Sequence, residues 1–260
     1  CIIPLVRGPS RSLPPREVLR QVRQLTRDGF KEVVLTGIHI GTYGMRLKPR
    51  YSLDRLLEEL VQVPRLARLR LSSIEPMELS RRVVELAVGE NRIAPHFHIC
   101  LQSGSNKILK RMLRPYDTAR FGEIVQEIRS RLPQAAIGTD LVVGFPGETF
   151  RDHLETVRFV KAMPFTYLHV FPYSDRPGTA ASRMGEKVDP STRRQRCREL
   201  RQISTAKSRT FRQRFLGRRL SVLTLGQSAG GRVEGLSANY IKVQFQRHMR
   251  PNRIVEVEAL

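Results

Sequence analysis

Residues 135–160 read AAIGTDLVVGFPGETFRDHLETVRFV, and the fold is decided here. An apolar, β-type run at 135–144 ends in the turn residues Gly144, Pro146 and Gly147. Thr149 and Asp152 follow at capping-box spacing, ahead of Leu154 and Val157. Strand, glycine-rich loop and capped helix make one β/α unit, with Asp140 inside the strand and Glu148 in the loop beyond it.

The same unit recurs on both sides. EVVLTG (32–37), RLRLSSI (68–74), HFHICL (96–101) and TYLHVFPY (166–173) read as further buried strands. Pro14 and Pro15 open a helix whose Val18, Val22 and Leu25 share a face, and Gly29 stops it. Leu53, Leu56, Leu57 and Leu60 stripe a second helix, and Leu79, Val83, Leu86 and Ala87 a third. Asp117 is placed to cap a fourth, before Phe121, Ile124, Val125 and Ile128. Such alternation predicts an α/β fold with parallel strands. We expect a partial (β/α)6 barrel, with a first strand upstream of Cys1. Functional groups should then gather at the carboxyl ends of the strands.

After about residue 190 the pattern changes. A basic helix runs to about residue 215, and RRLSVLTLGQ, GGRVEGLSANYIKVQF and NRIVEVEAL then alternate at period two between glycine-rich turns. A small antiparallel β unit is expected there, which divides the chain into 1–212 and 213–260.

Charge supplies the strongest bulk signal. The 260 residues carry 46 Lys and Arg against 24 Asp and Glu, a formal net charge of +22, which points to a polyanionic partner such as nucleic acid. Between residues 190 and 219 stand eleven basic residues and one acid, Glu199. The alternative is a linker helix packed on the barrel with its arginines solvated. No apolar run approaches the ~18 residues of a membrane helix. Cys1, Cys100 and Cys197 are too few and too scattered for a disulfide framework, so a reducing cytoplasm is expected.

The strand ends carry the candidate chemistry. Gly37 and Gly41 flank His39 in LTGIHIGTYG, where glycine allows close approach of backbone to a ligand or simply turns the chain. SSIEP places Ser72, Ser73 and Glu75 at the next rim position, and LQSGSNKILKRMLRPY contributes Gln102 and Arg114. FPYSDRPGTAA adds Tyr173 and Arg176. A rim so uniformly small and polar suits a ligand with an amino acid end, a ribose and an adenine. His96 and His98 share a strand face and are read as packing residues rather than metal ligands, with Cys100 following on the same parity. Cys197 is read as structural.

Taken in order, CIIPLVRG, LTGIHIGTYG, LRLSSIEP, HFHICLQSGSNKILKRMLRPY, GTDLVVGFPGET and FPYSDRPGTAA resemble the radical S-adenosylmethionine methylthiotransferases. They are most similar to the branch that modifies N6-threonylcarbamoyladenosine beside the tRNA anticodon. The tail resembles the TRAM domain, a small RNA-binding β-barrel. The resemblance implies a [4Fe–4S] cluster held by three cysteines, the last matching Cys1, and S-adenosylmethionine cleaved to a 5′-deoxyadenosyl radical. A second cluster belongs to an N-terminal domain upstream in the full-length family members, and the electron donor is not specified. With a single cluster cysteine, this chain alone is expected to be inactive, whereas its parent is expected to be an enzyme. The cofactor-binding residues implied are Gly37, Gly41, Glu75, Gln102, Arg114 and Arg176. The partner implied is the anticodon stem-loop of tRNA, with no membrane. The alternatives are methylthiolation of isopentenyladenosine or of a ribosomal protein, and a non-catalytic RNA-binding protein on a degenerate barrel.

Overall fold

The computed structural model describes residues 2–227, 232–245 and 249–260. Cys1, the expected cluster ligand, lies outside the described residues. A short helix α1 (Ile3–Arg7) precedes α2 (Pro15–Arg27), β1 (Glu32–Leu35) and α3 (Leu53–Leu60). Then follow β2 (Arg68–Leu71), α4 (Arg81–Gly89), β3 (His96–His98), α5 (Asn106–Arg111) and α6 (Thr118–Arg131). The barrel part ends with β4 (Ala136–Val143), α7 (Phe150–Ala162), β5 (Tyr167–Pro172) and the long α8 (Pro190–Gln213).

β1 pairs with β2, and β3, β4 and β5 pair in that order, all parallel. Single bridges from Leu69 to Ile93 and from Ile74 to Ile99 join the two groups, so five parallel strands form one curved sheet. The expected α/β barrel architecture is present, and the expected caps hold the helices. Asp117 accepts from the Arg120 amide, and Thr149 and Asp152 form a reciprocal capping box. Leu57, Leu60, Leu69, Ile99, Ile128 and Ile137 are fully buried between sheet and helices. Each contributes about 1.5–3 kcal/mol relative to exposure.

Alternate strand residues face the opposite way, into the barrel. Most of these inward positions are polar: Glu32; Arg68 and Arg70; His96 and His98; Asp140; Tyr167 and His169. Gly138 belongs to this set for want of a side chain, since a Cβ there would stand 2.1 Å from the Tyr167 ring.

The expected antiparallel unit is a four-stranded sheet of β6 (Arg219–Gln227), β7 (Val233–Ser237), β8 (Lys242–Phe245) and β9 (Ile254–Glu258), ordered β8-β7-β6-β9. It docks against the amino-terminal ends of the barrel strands. Arg68 donates to the Leu236 and Ser221 carbonyls, and Arg70 to those of Ala238 and Ser237. Tyr240, in the β7–β8 turn at φ 67°, stacks on His96 with ring centroids 4.1 Å apart and on Tyr167 at 5.5 Å. The small domain thereby plugs the barrel floor.

Helix α8 is neither a free basic arm nor a merely solvated linker. Cys197, Leu200 and Phe211 are buried along it, the first as the sequence predicts. Arg196 is buried against Glu148 at 2.6 Å, while Arg193, Arg201, Lys207 and Arg214 each donate to a backbone carbonyl of the barrel. Five of the eleven basic groups are therefore structural. Among the described residues no helix is long and apolar enough to cross a membrane.

Candidate active site

The carboxyl ends of β1 to β5 open into a rim of polar loops. After β1, residues Ile40–Thr42 form a short 3-10 turn that packs on another, Pro76–Glu78, following β2. Gly41 is the contact point: a Cβ there would lie 2.3 Å from the Glu78 Cβ. Gly41 thus lets two rim loops touch, whereas a Cβ at Gly37 would meet Ile40 at 3.5 Å, an ordinary contact. His39 Nδ1 lies 2.9 Å from Glu78 Oε1 and ties the same loops together.

Glu75 and Arg114, expected as separate ligand-binding groups, are partners. Arg114 donates from one terminal nitrogen to both Glu75 oxygens at 2.9 Å, and both side chains remain partly exposed. Gln102 stands four residues beyond β3 with φ 71°, in the left-handed region. Its backbone continues the sheet by exchanging bonds with Asp140 and Val142. The loop after it is pinned to α7: Ser105 donates to Asp152 at 2.9 Å and to Glu155 at 2.8 Å. Ser72 Oγ, at the end of β2, is shielded from solvent without a hydrogen-bond partner among the described residues. Arg176 is exposed in the loop after β5, where its carbonyl accepts from Thr179. The structure therefore gathers Gly41, Glu75, Gln102 and Arg114 on rim loops and leaves Arg176 on a separate exposed loop.

Below the rim lies a network that the sequence reading missed. Asp140 Oδ1 is 2.9 Å from His98 Nε2 and 3.3 Å from His169 Nδ1, and Cys100 Sγ donates to Asp140 Oδ2 at 3.6 Å. Burial alone would raise the Asp140 carboxyl, but the hydrogen bonds from His169 and His98 outweigh it and hold it well below the usual carboxylate range. Burial, with Asp140 alongside, pushes the Cys100 thiol far up. Tyr167 OH links His98 Nδ1 at 3.0 Å to His96 Nε2 at 2.7 Å. The available signal was the period-two recurrence of ionisable residues in strands otherwise apolar.

A cavity of about 760 Å³ flanks β1, lined among others by Arg7, Val22, Val34, Gly37, His39 and Tyr43. It reaches the rim at Gly37 and His39.

A family model described as the Radical SAM superfamily matches residues 1–160, which includes β1 to β4 and nearly all of α7. Among curated proteins, the threonylcarbamoyladenosine tRNA methylthiotransferase MtaB of Aquifex aeolicus is 38% identical over 257 residues, covering 99% of this chain and 61% of that protein. MtaB of Bacillus subtilis is 40% identical, with 95% and 55% covered. The tRNA-2-methylthio-N(6)-dimethylallyladenosine synthase of Natranaerobius thermophilus is 39% identical over 200 residues, with 77% and 44% covered. The chain thus spans about half to three-fifths of the curated relatives it matches. Among solved structures, coproporphyrinogen III oxidase (HemN) of Escherichia coli, a radical SAM enzyme, aligns with TM-score 0.50 at 16% identity, covering 77% of this chain and 46% of that one. The radical S-adenosylmethionine methyltransferase TsrM of Kitasatospora setae gives TM-score 0.52 at 16% identity, covering 65% and 33%. With the superfamily signature running through four of the five parallel strands, this chain belongs to the radical SAM superfamily.

Proposed function

We propose that this chain is the barrel and carboxyl-terminal part of a tRNA methylthiotransferase that adds a methylthio group to C2 of N6-threonylcarbamoyladenosine beside the anticodon. The observation that carries the reading is the near-complete coverage of this chain by MtaB relatives at 37–40% identity. The dimethylallyladenosine synthases reach 39% identity over 77% of the chain, and 33–34% where they cover 88–94% of it, so they support the neighbouring substrate less well.

The family's cofactors are S-adenosylmethionine and a [4Fe–4S] cluster, which supply one-electron chemistry that side chains lack. The described cysteines, Cys100 and Cys197, are single buried thiols, and no set of thiolates converges among the described residues. The cluster therefore has no ligand set there, and no step is assigned through it. The rim does fit S-adenosylmethionine. Ser72 Oγ is a buried polar group without a hydrogen-bond partner among the described residues, and Gly37 carries no side chain where the β1 cavity reaches the rim.

Within this reading Glu75, oriented by Arg114, accepts hydrogen bonds from an amine or ribose hydroxyl. The left-handed backbone at Gln102 is strain held at the mouth of the site. Arg176 is free on its loop to pair with a substrate carboxylate, for which a guanidinium offers two parallel donors. The four α8 arginines not spent on the barrel, Arg194, Arg198, Arg209 and Arg212, repeat on one exposed helix face over about 27 Å. This ridge supports tRNA as the partner through phosphate contacts, and a cytoplasmic setting accords with it.

The experiment is mass analysis of tRNA nucleosides from cells with and without the full-length gene. Loss of 2-methylthio-N6-threonylcarbamoyladenosine, with its unmethylthiolated precursor accumulating, is expected. Loss of the isopentenyl derivative instead, or an unchanged profile, overturns the assignment.

A further inference from the structure

Inside the barrel, one donor set is left unused by the proposed reaction. His98 ends β3, Cys100 follows on the same parity, and Asp140 on β4 faces both. The ligand atoms of these three residues all lie within 4.8 Å of one another. Two contacts within the group are measured, to different oxygens of Asp140: His98 Nε2 to Oδ1 at 2.9 Å, and Cys100 Sγ to Oδ2 at 3.6 Å. Tetrahedral zinc, with bonds of about 2.0–2.3 Å, separates neighbouring ligand atoms by about 3.3–3.7 Å. Closing one oxygen, the imidazole and the thiol around a cation thus needs shifts of up to about 1.5 Å, within rotamer adjustment.

The surroundings are arranged as those of a metal ligand are. Tyr167 OH holds His98 Nδ1 at 3.0 Å and leaves Nε2 directed at Asp140, the orienting contact that ligating histidines characteristically have. Tyr167 is itself fixed by His96 and seated over Gly138. His169 stands 3.3 Å from Asp140 on the open side of the group, with its side chain 49% exposed. One sulfur, one imidazole and one carboxylate make a borderline-soft set that discriminates against magnesium and calcium. A divalent cation with one thiolate and one carboxylate also forms a neutral unit, which suits a buried position.

We infer that His98, Cys100 and Asp140 form a binding site for a divalent cation of the zinc class, its fourth position open to the barrel interior beside His169. Binding releases the Cys100 thiol proton to solvent and shifts the His98 proton from Nε2 to Nδ1, where the Tyr167 hydroxyl oxygen accepts it, so that bonds to the metal replace the hydrogen bonds that His98 and Cys100 give Asp140. The cation joins β3 to β4 below the rim. This inference is independent of the methylthiotransferase reading, and its test uses no turnover.

The experiment titrates the metal-stripped 260-residue chain with Co²⁺ as an optical probe. One equivalent should bind, with a thiolate-to-cobalt charge-transfer band in the near ultraviolet. Cys100→Ser should abolish the band while Cys1→Ser and Cys197→Ser retain it, and Tyr167→Phe should weaken binding about tenfold. Separately, Zn²⁺ should raise the thermal midpoint of the parent chain and leave that of His98→Gln unmoved, each variant being compared with its own metal-free state. Absence of stoichiometric cobalt, a band that survives Cys100→Ser or vanishes with Cys1→Ser, or an equal zinc shift in His98→Gln overturns the site.

Discussion

The two ends of the barrel use the same kinds of residue to opposite ends. At the floor, Glu32 pairs with Arg68 at 3.1 Å and Arg70 at 2.7 Å, and all three side chains are buried. Their remaining donors are consumed by carbonyls of the small domain. At the rim, Glu75 and Arg114 also pair, yet stay partly exposed beside an unpartnered Ser72 and a left-handed Gln102. Satisfied charge at one end holds two domains together, and incompletely satisfied polarity at the other leaves room for a ligand. Parallel β/α folds divide stability and chemistry between strand ends in this way.

The largest expected effect tests the floor. Glu32→Gln leaves two buried guanidinium groups without their ion-pair partner and should cost about 3–5 kcal/mol in chemical denaturation. Burial already pulls the Arg68 pKa down against the attraction of Glu32, so the pair has little solvation in reserve. A loss below about 1 kcal/mol would mean that water reaches the triad and that the floor is not sealed.

Tyr240→Ala comes next. It removes the stack on His96 and Tyr167 and the Arg70 guanidinium lying 5.3 Å over the ring. Because Tyr240 is partly exposed, about 2 kcal/mol is expected rather than the full cost of a core aromatic. Faster amide exchange at the start of β3 should accompany it. Protection unchanged at His96 and Phe97 would show that the plug is not what excludes solvent.

How much of this was legible in the sequence follows from range. The capping boxes, the helix stripes and the strand runs were readable because their partners lie within a few residues, and the period of the pattern names the element. The docking of Tyr240 was not, since its contacts with Arg70, His96 and Tyr167 join segments far apart in the chain. HFH looked like two packing histidines, and both are buried, but only the sheet register sets them facing Asp140 and Tyr167. Glu75 and Arg114 were each visible as rim residues, while their pairing depended on where the loop after α5 returned. The left-handed backbone of Gln102 carries no local signature, glutamine being an uncommon residue in that region.

A smaller effect concerns pH. Burial, with Arg70 nearby, holds the His96 imidazole well below its ordinary value. The folded state therefore refuses a proton that the unfolded state accepts near pH 6.5. Stability should be full above that value and decline as pH falls below it. His96→Gln should flatten this decline, read as thermal midpoints across the range. An identical slope in the variant would assign the acid sensitivity to other groups.

The smallest effect on stability should come from Arg114→Ala at the rim, and its smallness is what the comparison requires. The pair keeps some contact with solvent, its side chains 27% and 20% exposed, so a loss of about 1 kcal/mol is expected and denaturation of the variant should lie close to the parent. In the full-length protein the same change should lower methylthiolation at least tenfold, because Glu75 loses the group that orients it. Arg114→Lys keeps the charge but not the planar fork, and should recover stability fully and turnover in part. Glu32→Gln would show the reverse ranking, a large loss of stability at the opposite end. If Arg114→Ala instead destabilises the chain as strongly as Glu32→Gln does, the rim pair is structural like the floor pair. Glu75 would then have to be removed from the proposed cofactor site, leaving Ser72 and Gln102 as its polar groups.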